Sequence, residues 1–191
     1  MDMQPLMEQA ARVNLEVARN VKVDQLALPT PCAGWDVRML ANHLTFWSAF
    51  RSEVAARKQP PPEGDENSVD YVTDDWVTVY ERQLNRAVAA WAEPGAWEGI
   101  TGMAGGQMPA PMIGRMIIGE LVLHGWDLAR ATGQELVCPP ELAEVIYAGV
   151  QEFTEMGREY NIFGEPVPVR DEAPVLDRAL GLSGRDPGWA S

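Results

Sequence analysis

The sequence predicts an all-α fold: an antiparallel bundle of four helices with an extra C-terminal helix and a proline-rich tail. Three observations carry this. Apolar residues recur every three or four positions through five separate segments. Prolines fall between those segments or in their first turns, where helices tolerate them. No run alternates apolar and polar residues long enough to make a strand, and the valine-rich piece Val167–Val169 is interrupted by Pro168.

The elements follow in order. Leu6, Ala10, Val13, Val17 and Val21 share one face and predict a first helix over 6–21; the double stop Leu28-Pro29-Thr30-Pro31 ends the segment. A second helix runs over 36–57. Asp36 stabilises its N-terminus, and Pro60-Pro61-Pro62 forms a loop no helix can cross. Val77, Tyr80, Leu84, Val88 and Trp91 line one face of a third helix over 69–92, closed by Pro94-Gly95. A loop rich in glycine and methionine follows, then a fourth helix over 111–131 with Gly133 as its C-terminal cap. Pro139-Pro140 opens a fifth helix over 140–158. The tail from Phe163 holds Pro166, Pro168 and Pro174 and one short helical stretch near 176–182.

Length and composition bound the function. The 191 residues, 46% of them hydrophobic, fit one globular domain over 1–191. A formal net charge of -13 argues against a nucleic-acid partner, which needs a basic surface, and against an anionic membrane. No segment approaches the roughly 20 apolar residues of a membrane span. The first ten residues carry Asp2 and Glu8 and no basic region before an apolar block, so a cytoplasmic protein is expected. Cys32 and Cys138 form no CxxC pair and are expected as reduced, partly buried thiols, with a disulfide between them as the alternative.

The chemistry sits in two helices. With about 100° between residues, Ile113, Ile117, Glu120, His124 and Leu128 fall in one narrow stripe. Glu120 and His124 are therefore one turn apart in the middle of an apolar face. His43, the second of only two histidines, sits among Met39, Leu40, Phe46, Trp47 and Phe50. A buried carboxylate needs a partner or a proton. The residues alone leave two readings open: a hydrogen-bonded carboxylate–imidazole pair in the core, or a cation held by Glu120, His124 and His43. Asp127 lies at the edge of the stripe, either as a partner of a histidine or as an ion-paired carboxylate. Arg130 is expected on the surface or in an ion pair. Trp35, Trp47 and Trp126 are expected in the core or in a pocket wall. Met103, Met108, Met112 and Met116 lack ligand spacing and are expected to pack.

Two stretches carry a resemblance. Thr30-Pro31-Cys32-Ala33-Gly34-Trp35-Asp36-Val37-Arg38 with Leu40-Ala41-Asn42-His43-Leu44 resembles the second-helix signature of the DinB-like metal-binding bundle family. Glu120-Leu121-Val122-Leu123-His124-Gly125-Trp126-Asp127-Leu128-Ala129-Arg130 resembles its fourth-helix signature. The likeness is nearest the actinobacterial branch that includes the N-terminal domain of mycothiol-dependent maleylpyruvate isomerase. Phe163-Gly164, Ala173-Pro174-Val175-Leu176-Asp177-Arg178 and Gly184-Arg185-Asp186-Pro187 resemble the tail of one subgroup.

The resemblance implies a four-helix core and a metal triad of His43, Glu120 and His124. It implies zinc as the usual ion, with nickel or another divalent ion as an alternative occupant, and mycothiol as a thiol cosubstrate. The isomerase also carries a C-terminal domain, for which this chain is expected to have too little sequence after its fourth helix. The implied function is a metal-dependent transferase or isomerase joining a small-molecule thiol to an electrophile, in a chain that permits a homodimer. The alternative is a non-catalytic metal-binding or stress-response protein. No catalytic acid or base is assigned.

Overall fold

In the computed structural model, which describes residues 2–190, helices dominate. Helix α1 (Gln4–Ala18) buries Leu6, Ala10, Val13 and Val17, the face its periodicity predicts. The second helical rod has three parts: α2 (Val37–His43), a π-helical segment (Leu44–Arg51) and α3 (Ser52–Ala56). Asp36 caps the rod by accepting from the Met39 amide at 2.8 Å. The π-helical turns begin immediately after His43. Such widened turns are enriched at functional sites. Met39, expected on the apolar face, is exposed.

Helix α4 (Trp76–Trp91) starts later than the periodicity predicts. Residues 69–75 have other backbone partners: Tyr71 donates its amide to Asn42 Oδ1 at 2.8 Å, and Val72 donates to Asp70 Oδ1 at 2.9 Å. The segment is thus tied to α2 before α4 can begin.

The expected absence of strands needs correction. Strands β1 (Ile100–Met103) and β2 (Gly106–Pro109) form an antiparallel hairpin, with Ile100 opposite Pro109 and Met103 opposite Gly106. Its turn residues, Ala104 and Gly105, both have left-handed φ, at 52° and 79°, the geometry that two-residue hairpin turns need. Each strand has four residues, too few for a clear period-two signal. The Thr101 hydroxyl donates to the Ala55 carbonyl at 2.6 Å and fastens the hairpin to α3.

Helices α5 (Ala110–Ala131), α6 (Pro140–Glu159) and α7 (Val175–Leu182) complete the chain. Helix α5 is the axis of the fold. It packs on α1, on the second rod and on α6, and its mid-helix Ile113, Ile117, Ile118, Leu121 and Leu128 are fully buried. Asn14, buried in α1, is satisfied on both sides: it accepts from the Tyr80 hydroxyl and donates to the Leu121 carbonyl, each at 2.7 Å. No helix among the described residues is long and apolar enough to cross a membrane.

The tail folds back on the bundle. Gly164 donates its amide to the Ser183 carbonyl at 3.1 Å, and Val167 to that of Gly181 at 2.9 Å. Gly184 has a φ of +91°, and a Cβ there would lie 2.6 Å from Gly164 Cα. Only glycine permits both this backbone conformation and this approach. The contact brings the next residue, Arg185, to α5.

Candidate metal centre

The three residues expected to act together do converge. His43 closes α2, and Glu120 and His124 stand one turn apart on α5. His43 Nε2 lies 3.2 Å from Glu120 Oε2, and His124 Nε2 lies 3.5 Å from the same oxygen. One donor atom from each residue lies within 4.8 Å of the other two.

Each imidazole is anchored through its other nitrogen. His43 Nδ1 lies 2.9 Å from Glu66 Oε2, and His124 Nδ1 lies 2.8 Å from Asp127 Oδ2. A carboxylate on Nδ1 fixes the ring's orientation and aims Nε2 toward the centre. Both anchors are themselves held. Trp47 donates its indole N–H to Glu66 Oε2 at 2.6 Å. Arg185 donates from Nε and Nη2 to the Asp127 carboxylate at 2.8–3.1 Å. Asp127 is thus both a histidine partner and an ion-paired carboxylate, fully buried where the helical wheel had placed it at an edge.

The electrostatics follow the geometry. Burial opposes the charge on Glu120, yet His124 and His43 hold its carboxyl down to about 2. Burial also opposes protonation of His43, but hydrogen bonds from Glu120 and Glu66 overcome it and push the imidazole up to about 9. Asp127 stays well below the usual carboxylate range because Arg185 and His124 outweigh its desolvation. The His43 imidazole therefore favours its charged form between Glu120 and Glu66.

A second donor group, Cys32, His124 and Asp127, shares His124 through Nδ1. Arg185 already supplies the cation there. Cys32 Sγ lies 3.2 Å from Asp127 Oδ2, and burial together with that carboxylate raises its thiol well above the ordinary range. Both cysteines are free.

The donors open on a cavity of about 710 Å³. Trp35 covers one side, its ring stacked on His124 at 6.0 Å between centroids and tilted against His43 at 4.8 Å. Trp47, Met103, Met108 and Met116 are also cavity wall, whereas Trp126 and Arg130 are not; Arg130 donates to the Trp189 carbonyl. Sequence reasoning missed Glu66, Cys32 and Arg185. The Gly184-Arg185-Asp186-Pro187 motif held a hint of the last, but nothing near Glu66 marks it.

A family model described as the mycothiol maleylpyruvate isomerase N-terminal domain matches residues 7–129. The chain belongs to this family. Two uncharacterized proteins from two strains of Mycobacterium tuberculosis are each 28% identical over 189 residues, spanning 96% of this chain and 98% of the relative. A crystal structure of the mycothiol-dependent maleylpyruvate isomerase superposes with a TM-score of 0.68 at 16% identity, covering 97% of this chain and 89% of that one. A mutant of that isomerase gives 0.64, also at 16% identity, over 88% of this chain and 75% of the other. The fold is thus that of the isomerase. The likeness does not stop at residue 129: the superposition takes in 97% of this chain and 89% of the isomerase, where the sequence was expected to be too short after the fourth helix to match the isomerase's C-terminal part.

Proposed function

We propose that this protein is a divalent-metal-dependent enzyme that uses a low-molecular-weight thiol, mycothiol, as a transferase or isomerase. The metal ligands in this reading are His43, Glu120 and His124. The observation that carries it is the pair of imidazoles, each anchored at Nδ1 by a carboxylate and turned at Nε2 toward one half-buried carboxylate in a cavity wall. The donor set fits the ion. Two neutral imidazoles and one carboxylate suit zinc, and three protein ligands leave a position open toward the cavity. Bound there, zinc would lower the pKa of a coordinated thiol and supply a thiolate at neutral pH.

The chain's own residues do the rest. Glu66 and Asp127 hold the imidazoles in one tautomer, and Arg185 keeps Asp127 ionised. Trp35 and the methionine wall limit water around the open side. Mycothiol enters through the isomerase relatives, whose names carry it. The large cavity beside the donors favours the enzyme over the non-catalytic alternative, for which a closed centre would suffice.

Metal analysis of the purified protein tests this first, and a mycothiol titration second. Wild type should carry about one equivalent of zinc or another divalent ion. Glu120→Gln, which removes the one anionic ligand, and His43→Ala should both lose it while remaining helical by circular dichroism. Metal content unchanged in both variants would overturn the triad. Metal bound without any thiol response would leave the centre standing and favour the non-catalytic reading. The homodimer that the resemblance implies is tested by sedimentation velocity, where a monomer at high concentration overturns it.

A further inference from the structure

We propose that the electrophile received by this centre is uncharged and apolar around its reacting carbon, and is not a dicarboxylate. This rests on the thiol reading above and narrows its substrate. The maleylpyruvate named for the structural relatives carries two carboxylates. A cavity for such a molecule needs two sources of positive charge. Here Trp35, Met103, Met108, Ile113, Met116 and Ile117 make most of the wall beyond the donors, and its other polar side chains, Asn161 and Ser183, are uncharged. Among the described residues lining the cavity, Arg185 is the one arginine or lysine. It is not free to turn to a ligand. Its side chain is only 11% exposed and makes three contacts of 2.8–3.1 Å with Asp127, whose carboxylate is fully buried. Taking Arg185 away would strand that carboxylate against His124 and Cys32, a costly state.

The centre itself supplies no surplus. A divalent ion, the Glu120 carboxylate and a thiolate together carry no net charge. Two further carboxylates would find no uncommitted cation in the wall, only the uncharged Asn161 and Ser183, and desolvating unpaired charge is strongly unfavourable. The whole chain, at a net charge of -13, repels a dianion on approach. An apolar ligand meets the opposite situation, because methionine and isoleucine walls adapt to it at no electrostatic cost. Met116, Glu120, Ile162 and Phe163 also border a smaller cleft of about 60 Å³ between α5 and α6, room for a short alkyl substituent; its one arginine, Arg115, is paired with Glu152 at 2.6 Å.

The isomerase reading already carries the reaction, addition to a conjugated alkene, and an uncharged ligand leaves it unchanged. The thiol sulfur forms a bond to one alkene carbon, the π pair moves to its neighbour, and that carbon takes the proton released by the thiol. Reversal after rotation about the new single bond returns the thiol and gives the trans alkene. No oxidant or reductant is needed.

Maleate and diethyl maleate share one cis-alkene and differ in charge, so they form the test pair. Zinc-loaded full-length protein holding mycothiol is titrated with succinate and diethyl succinate, the unreactive saturated analogues of the pair, and followed by tryptophan fluorescence, since Trp35 and Trp47 line the cavity. The diester should bind more tightly by about tenfold or more. Each alkene is then added in turn, and adduct or trans alkene is measured above the uncatalysed rate. Met108→Arg, a change at the wall, should narrow the preference by supplying the absent cation. The diacid binding as tightly as the diester, or neither ligand binding, overturns the proposal. So does a Met108→Arg variant with the wild-type preference. Preferential diester binding with no mycothiol turnover upholds the ligand class and removes the thiol reading instead.

Discussion

At the scale of single residues, the centre depends on side chains that hold other side chains. Glu66 and Asp127 occupy the same chemical place on the two imidazoles, but their surroundings differ. Asp127 is fully buried and clamped by Arg185, whereas Glu66 is 26% exposed and sits on the loop after α3. Glu66→Ala should lower zinc affinity by about 10- to 100-fold, the usual effect of losing such a partner. Competition with a chelator measures it, and an affinity equal to wild type would refute the anchoring role. The metal-free protein offers a second test. Glu120 and Glu66 raise His43 to about 9, so the imidazolium form is the one the fold favours. Its contribution to stability is complete below the unfolded value of about 6.5 and is lost as pH rises through 9. Denaturant midpoints of metal-free protein should therefore fall from pH 6.5 to 9, and the fall should vanish in His43→Ala. Cys32 gives the third. Burial and Asp127 raise its thiol, and burial raises Cys138 to about 11, so at pH 8 both should alkylate far more slowly than a free cysteine. Rapid labelling of Cys32 detected by mass spectrometry would contradict this environment.

At the scale of elements, the second rod and α4 are joined by an acid-sensitive contact remote from the centre. Glu53 on α3 is buried, accepts from Gln83 and Arg86, and pairs with Arg57. Burial would raise its carboxyl, but these donors win and hold it below its ordinary value. The stability it gives is thus present above about pH 4.5 and is lost as pH falls through the lowered folded value. Glu53→Ala leaves Gln83 without this acceptor and should cost about 1–3 kcal/mol at pH 7. The cost should shrink in acid. Urea denaturation at pH 7 and pH 3.5 compares the two, and equal losses at both would show that packing, and not the ionised carboxylate, is what Glu53 contributes.

At the scale of the whole molecule, the tail completes the site from the far end of the chain. Arg185 reaches Asp127 across 58 positions of sequence because Gly184 lies against Gly164. Gly184→Ala forces an L side chain into a left-handed backbone and against another backbone, for a cost of about 1–3 kcal/mol. Amide exchange over residues 164–185 should rise in this variant. Freed of its clamp, His124 should also bind metal more weakly. Unaltered exchange there would mean that the tail docks by contacts other than this one.

The sequence by itself determined most of the helices and marked Glu120, His124 and His43 as polar residues on apolar helix faces. Their apolar faces repeat at helical spacing, and a carboxylate and two imidazoles on those faces cannot be buried without partners. Their helical register alone puts Glu120 beside His124. The hairpin was hidden because four-residue strands carry too little periodicity, and its turn depends on two left-handed residues that composition does not announce. The partners of the imidazoles were hidden for a different reason. Glu66 lies 23 positions from His43, and Arg185 lies 61 from His124; no local pattern links residues so far apart. Only tertiary packing decided which carboxylate meets which ring, because the energy of that meeting comes from burial and charge in space and leaves no period along the chain.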